Sequence, residues 1–172
     1  MIVSYLHKIL TENSIKKVLD LGAGHATEAL YCASFGADVD WVDKKEVPSY
    51  LKDHPRINAI QTKIEDFNFN NKYDLIIIKF VLHFLDKNFI IHSLFPNIIK
   101  SLNNNGFLMI TSFGEKDKIF SLPDRSVFFS KEEMEKCVSP LNLITYNEYD
   151  EKDSHPPLGE HTHSIQEFLF KK

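Results

Sequence analysis

The sequence predicts an α/β fold: a doubly wound, mostly parallel sheet of seven strands with an antiparallel last strand and helices on both faces. Three observations predict it. Short apolar runs alternate with segments at helical spacing, which implies a parallel sheet with right-handed crossovers. The first run turns at Asp20-Leu21-Gly22-Ala23-Gly24 straight into a helical pattern, as a strand, glycine turn and helix do. The last two apolar runs are joined by a loop with no room for a crossover helix, so they pair antiparallel as a hairpin.

The elements follow in order. Ile2, Tyr5, Leu6, Ile9 and Leu10 recur at helical spacing and give a first helix. Lys17–Leu21 reads as a short buried strand, and Ala26–Phe35 as a helix closed by Gly36. Asp38–Val42 alternates polar and apolar residues as a second strand ending at Asp43. Glu46–Asp53 is a weak helix disturbed by Pro48, and Ile57–Gln61 is a third strand. Tyr73–Ile78 is the most apolar strand, in character a central one buried on both faces. Beyond Asp86, a helix carries Ile91, Leu94, Phe95, Ile98, Ile99 and Leu102 on one stripe; Pro96 kinks it and Asn105-Gly106 ends it. Phe107–Phe113 is the fifth strand. Gly114–Phe129 has no periodicity and is a candidate lid or substrate loop. Ser130 and Glu133 form a capping box before a short helix. Asn142–Asp150 and Ser164–Phe170 then flank a polar turn rich in His and Pro.

Composition bounds the function. A chain of 172 residues, 43% hydrophobic and with 14 phenylalanines, has the payload for one domain over residues 1–172. A net charge of −4 without a basic stripe argues against a nucleic-acid partner and for a small-molecule acceptor. Cys32 and Cys137 have no metal or redox spacing and read as reduced core thiols. The first helix is too short, and too charged at Lys8, to span a membrane, and no signal-type cleavage site follows. The expectation is a cytoplasmic protein, a monomer or homodimer, without a membrane partner.

The glycine turn marks a nucleotide-type cofactor, because neither Gly22 nor Gly24 has a Cβ to keep a ligand from the backbone. Two ligand families use this arrangement, the dinucleotides and S-adenosylmethionine (SAM). A dinucleotide fingerprint wants a third glycine where Thr27 stands, whereas the SAM pattern is met by Asp20, Gly22 and Gly24 with Ala26 at its last place. Alanine there disfavours φ > 0 and narrows the loop conformations. Asp43, about 20 residues past the loop, is placed to accept from both ribose hydroxyls, a feature of both families. Lys44 beside it is grouped with the cofactor-binding residues; simple solvation is the alternative for it and Lys45. In Ile64-Glu65-Asp66-Phe67, Asp66 is placed to accept from the adenine amino group with Phe67 packed near the ring, and Glu65 is the alternative acid. This loop favours SAM.

Asp20-Leu21-Gly22-Ala23-Gly24, Asp43, Asp66 and Tyr73-Asp74-Leu75-Ile76-Ile77 together resemble the SAM-dependent methyltransferases of the seven-stranded, Rossmann-like class I type. The resemblance spans nearly the whole chain. It implies an enzyme with SAM as cofactor, Asp20 near the methionine amino group, and Gly22 and Gly24 beneath the ribose and methionine. Within that family, the run from Tyr73 to Leu85, the aromatic-rich loop before Ser130 and the tail resemble the small methyltransferases of the tellurite-resistance kind. Those often end in a Gly-x-His-x-His segment comparable to Gly159-Glu160-His161-Thr162-His163.

The acceptor side is assigned to other residues. The backbone of Lys79 and Phe80, at the end of the fourth strand, is expected to border the methionine part of the cofactor. His83 follows in the same loop and faces the acceptor space. His161 and His163 share a face if extended, and with His83 they are the candidate general bases for a hydroxyl or protonated amine acceptor. Thiolates or reduced selenium or tellurium species need no base. Arg125, one of two arginines, suits an anionic acceptor through its planar fork. The His-rich tail has side chains a divalent metal accepts, but its spacing matches no strong zinc signature and no metal is assigned. About sixteen residues precede the first strand, so the 114–129 loop, the tail or a second subunit is expected to roof the cofactor. The rival readings are a nicotinamide-dependent dehydrogenase and a SAM-binding protein without catalysis.

Overall fold

The computed structural model describes residues 2–123, 125, 127–155 and 158–172. Positions 124 and 126 of the expected lid, Pro156 and Pro157 of the expected turn, and the side chains of Ile2, Val3, Ser4 and His155 lie outside the described residues. The chain forms α1 (Ile2–Glu12), β1 (Lys17–Leu21), α2 (Thr27–Ser34), β2 (Asp38–Asp43), β3 (Ile57–Gln61), β4 (Tyr73–Lys79), α3 (Lys87–Phe89), α4 (Phe95–Ser101), β5 (Leu102–Phe113), α5 (Lys131–Cys137), β6 (Asn142–His155) and β7 (Gly159–Lys171).

The seven strands lie in the order β3-β2-β1-β4-β5-β7-β6. Strands β1 to β5 pair in parallel, and β7 runs antiparallel to both β5 and β6. The chain builds outward from β1 to β3, then returns to lay β4 on the other side of β1. That reversal opens a crevice beyond the carboxyl ends of β1 and β4, where open α/β sheets bind ligands.

Helices cover both faces, and the pleat decides which side chains meet them. On one face Leu6 and Ile9 of α1 and Ala29 and Cys32 of α2 pack over Val18, Trp41, Leu75 and Ile77. On the other, Leu94, Phe95, Ile98 and Met134 pack over Leu19, Ile76, Ile78 and Leu108. Leu75 to Ile78 are buried on both faces, as a central strand requires.

Four elements differ from the sequence expectation. The polar phase of β2 is not solvated: Asp40 is buried and accepts from Lys17 Nζ (2.7 Å), Asn58 Nδ2 (3.0 Å) and Tyr73 OH (2.8 Å). Burial pushes its carboxyl up, and these hydrogen bonds outweigh that and hold it below the usual carboxylate range. The weak helix over 46–53 is one 3-10 turn, Ser49–Leu51, because Pro48 sets an extended entry. The kink expected at Pro96 is a π-helical segment, Ile90–Leu94, linking α3 to α4 and placing Pro96 in the first turn of α4, where its missing N–H costs nothing.

That helix ends at Ser101, earlier than Asn105-Gly106, and Leu102 already pairs with Tyr73. Lys172 Nζ donates to the carbonyls of Ile99 (2.6 Å) and Leu102 (2.8 Å), satisfying groups the helix end leaves open. Finally, the expected polar turn is strand: β6 and β7 stay paired out to His155 and Gly159. Backbone pairing carries this arm, so its polar side chains do not oppose it.

Candidate active site

The loop after β1 is shaped by left-handed residues at alternate positions: Gly22 (φ 70°), Gly24 (φ 46°) and Ala26 (φ 61°). A Cβ on Gly22 would overlap a methyl of Val81, so the β1 and β4 loops approach closely only with glycine there. Gly22 and Ala23 N–H donate to the Val42 carbonyl at 2.7 and 3.1 Å. Asp43 completes the frame. Its Oδ2 accepts from Gly24 N–H and its Oδ1 from Lys45 N–H, both at 2.8 Å. Asp43 is therefore a positioning group for the loop, and each oxygen keeps lone-pair capacity toward the cavity it lines.

That cavity, about 590 Å³, lies in the crevice between the β1 and β4 loops and falls in the size range of small-ligand sites. Gly22, Gly24, Asp43, Lys44, Glu65 and Phe80 line it, with Lys45, Lys63, Ile64, Val81, Phe84 and Leu85. Asp66 and Phe67 do not. The single 3-10 turn Ile64–Asp66 presents Glu65 to the cavity and leaves Asp66 exposed, while Phe67 stacks edge-on against Phe69 with ring centres 4.9 Å apart. Of the two acids of the sequence reading, Glu65 lines the cavity and Asp66 does not. Lys79 turns its side chain away to Glu28 (2.5 Å).

Beneath the loop, Asp20 is 2% exposed, and its Oδ2 has no hydrogen-bond partner among the described residues. Burial, then the nearby Glu28 charge, pushes its carboxyl up to about 8. An orphaned buried acid under a glycine cradle fits a ligand that carries positive charge, as the ammonium and sulfonium of SAM do.

A second cavity of about 450 Å³ adjoins the first, and Phe80 and Phe84 line both. Phe80 holds φ 52°, a conformation that costs a bulky residue about 1–3 kcal/mol, and its ring stacks on Phe113 at 4.8 Å. His83 lines this chamber, buried against the edge of Phe113 at 5.0 Å. Burial, then the Arg125 guanidinium, pulls its imidazole down to about 4. At neutral pH it is therefore uncharged, and burial makes it a weaker base than a free imidazole. Arg125 lies over the Phe84 ring at 4.1 Å, which brings this part of the 114–129 loop to a ring that both chambers share.

His161 and His163 are both buried, on the β7 arm. His163 Nδ1 lies 2.9 Å from Asp117 Oδ2, His161 Nδ1 lies 2.7 Å from the Gly159 carbonyl, and the two Nε2 atoms are 2.9 Å apart. His163 lines the second chamber with its ring centre 4.6 Å from Phe113; His161 stands behind it. Sequence reasoning missed Asp117, Phe113 and Val81. Asp117 caps the 3-10 turn Lys118–Ser121 through Ile119 N–H, an Asx-turn signal legible locally, but its bond to His163 crosses 46 residues. The structure thus gathers Gly22, Gly24, Asp43, Lys44, Glu65 and Phe80 around one cavity, and His83 and His163 around the next.

The family model for the tellurite resistance protein TehB matches residues 5–155. Among solved structures, TehB from Haemophilus influenzae superposes with a TM-score of 0.82 at 22% identity, over 98% of this chain and 62% of that one. The chain thus spans under two thirds of that relative's length. The N-methyltransferase NodS from Bradyrhizobium japonicum WM9, in complex with S-adenosylhomocysteine (SAH), gives 0.69 at 16% identity over 98% and 84%. The 1,6-didemethyltoxoflavin N1-methyltransferase of Burkholderia thailandensis, with its acceptor and SAH bound, gives 0.71 at 16% identity over 98% and 75%. No curated protein sequence matches. With most of its length matched by the family model, the chain belongs to the tellurite resistance protein TehB family and has the fold of the class I SAM-dependent methyltransferases.

Proposed function

We propose that this chain transfers the methyl group of SAM to a small acceptor that is already nucleophilic near neutral pH, such as a thiolate or a reduced selenium or tellurium species. The observation that carries this reading is the pair of chambers meeting at Phe80 and Phe84, one under a glycine cradle and the other walled by aromatic rings. Bound SAM supplies a methyl on a positively charged sulfur: the acceptor's lone pair makes the new bond to carbon as the carbon–sulfur bond breaks, and the sulfur keeps that pair as a thioether.

The chain's own work is binding, alignment and exclusion of water. Asp20 offers its buried carboxyl to the cationic end of the cofactor, Gly22, Ala23 and Gly24 let it approach the backbone, and Asp43 accepts from the ribose. Glu65 takes the adenine amino group, and Lys44 closes the rim. Phe80, Phe84 and Phe113 give the second chamber an aromatic wall opposite Glu151, Lys152, Asp153 and His163, so an acceptor can be aligned by both, and alignment of this sort contributes several kcal/mol, on the order of 7–11 in favourable cases. The neutral state of His83 favours an acceptor that brings its own lone pair. Arg125, over the Phe84 ring, suits a negatively charged one. The Burkholderia thailandensis enzyme holds the small molecule 1,6-didemethyltoxoflavin together with SAH, which supports a small acceptor here.

Calorimetry with SAM, SAH and NAD tests the cofactor, and turnover against thiols, selenite, tellurite and small phenols tests the acceptor. Binding of SAM with methylation of thiols or chalcogen species, and no turnover of phenols, is expected. Binding of NAD alone, or of none of the three, overturns the reading.

A further inference from the structure

We infer that the β6–β7 arm carries a site for a divalent transition-metal ion of the zinc type, held by His161 Nε2, His163 Nε2 and a carboxylate oxygen of Asp153 at the edge of the second chamber. The three ligand atoms lie within 4.8 Å of one another. Register explains why: Asp153 pairs with His161 across the hairpin, and His163 follows two residues on, so all three project from one face of a two-stranded ribbon.

The hydrogen bonds around the rings orient them as metal ligands. The Gly159 carbonyl can only accept, so His161 Nδ1 carries the proton there. Asp117 holds the other ring. Its ionised carboxylate accepts from His163 Nδ1 at 2.9 and 3.0 Å and from Ser164 N–H at 2.7 Å. Carboxylate and carbonyl acceptors on the outer nitrogen are the usual support of a metal-binding histidine, because they set the tautomer and raise ligand basicity. With the outer nitrogens engaged in this way, the two inner nitrogens point at one another. They lie 2.9 Å apart, with an Asp153 oxygen 3.7 Å from His163 Nε2. A shared cation resolves this convergence of three donors. The two separations bracket the roughly 3.3 Å edge of a tetrahedron built on zinc–ligand bonds of about 2.0–2.1 Å.

The donor set selects the ion. Two imidazoles and one carboxylate suit zinc, nickel or cobalt and not calcium or magnesium, which prefer oxygen throughout. Among the described residues the donor set is three, and a zinc site with three protein ligands takes a reactant as its fourth. Asp153 and His163 both line the second chamber, so a fourth ligand would come from the acceptor space. A thiolate or chalcogen oxyanion would occupy it; this last step rests on the methyltransferase reading, whereas the metal site itself does not.

The experiment is a titration of tag-free, chelator-treated full-length protein with zinc chloride by calorimetry, without SAM, and with cobalt(II) by visible absorption. One equivalent of zinc and the intense visible band of low-coordinate cobalt are expected. Asp153→Asn, at a half-exposed position that leaves folding intact, and Asp117→Asn should each weaken binding roughly 10–100-fold. His163→Ala should abolish it, and His83→Ala, in the same chamber but outside the ligand set, should bind like the parent. Sub-stoichiometric zinc, an octahedral cobalt spectrum, or equal affinity in Asp153→Asn and the parent would overturn the site. A SAM titration of the same sample reports separately on the methyltransferase reading, so either can fail alone.

Discussion

Asp43 and Gly24 are joined across the mouth of the cofactor cavity by a charged hydrogen bond: Asp43 Oδ2 accepts the Gly24 N–H at 2.8 Å while its Oδ1 holds Lys45 N–H. The acid that the sequence assigns to the ribose is thus also the clasp of the glycine loop. Asp43→Ala should therefore cost stability as well as affinity. Hydrogen bonds to a charged group contribute about 1.5–3 kcal/mol each and two are removed, so a loss of about 3 kcal/mol or more in urea unfolding is expected, with SAH affinity down at least about tenfold. Full parental affinity with reduced stability would show that Asp43 serves the loop alone.

Gly22 and Val81 lie in contact that admits no side chain between them. Gly22→Ala meets two penalties, a left-handed φ worth about 1–2 kcal/mol and overpacking worth about 1–3 kcal/mol. Gly24→Ala meets only the first, because open space surrounds its Cβ position. Denaturant unfolding should therefore rank Gly22→Ala as the more damaging, and Val81→Ala should restore part of the loss in the double variant. Strict additivity in that cycle would remove the contact from the account.

Two buried titrating groups of the site, Asp20 and His83, work against each other with pH. Asp20, pushed up to about 8, binds a proton in the folded state that the unfolded chain has released above about pH 4, so its contribution falls as pH rises from about 4 to 8. His83, pulled down to about 4, does the reverse: the unfolded chain takes up its proton first, so stability falls as pH drops from about 6.5 to 4. Their slopes oppose between pH 4 and 6.5, and above 6.5 only that of Asp20 remains. Asp20→Asn should abolish the decline between pH 6.5 and 8, and His83→Phe should expose a decline across the whole window. Urea midpoints at pH 5, 6.5 and 8 measure both, and an Asp20→Asn profile parallel to the parent would refute the assignment.

What was legible in the sequence was local. The glycine turn shows because positive φ and close approach leave a mark on residue type, and β4 shows because burial on both faces demands an unbroken apolar run. The choice between Glu65 and Asp66 was not legible, since the phase of a single 3-10 turn decides it and both residues are acids. The paired arm from 151 to 163 was hidden for a different reason: its ladder is made by backbone groups, which carry no sequence signal when the side chains are polar. The contact of Asp117 with His163 was beyond reach because its partners are 46 residues apart and meet only after β7 inserts beside β5.

Ala26 stands where the SAM pattern has a glycine, and it adopts the glycine's conformation, φ 61° and ψ 24°, at the start of α2. The expected narrowing of the loop is therefore energetic and not geometric. Holding a non-glycine residue in the left-handed region costs about 1–2 kcal/mol, while burial of its single methyl, fully enclosed here, returns about 0.8 kcal/mol. Ala26→Gly should then raise unfolding stability by at most about 1 kcal/mol. SAM affinity should stay within roughly twofold of the parent, under about 0.5 kcal/mol, because Ala26 does not line the cavity and the backbone path is already the one a glycine would take. A tenfold gain in affinity would mean that the bound loop needs a conformation alanine resists, and that the path seen here is not the one the cofactor meets.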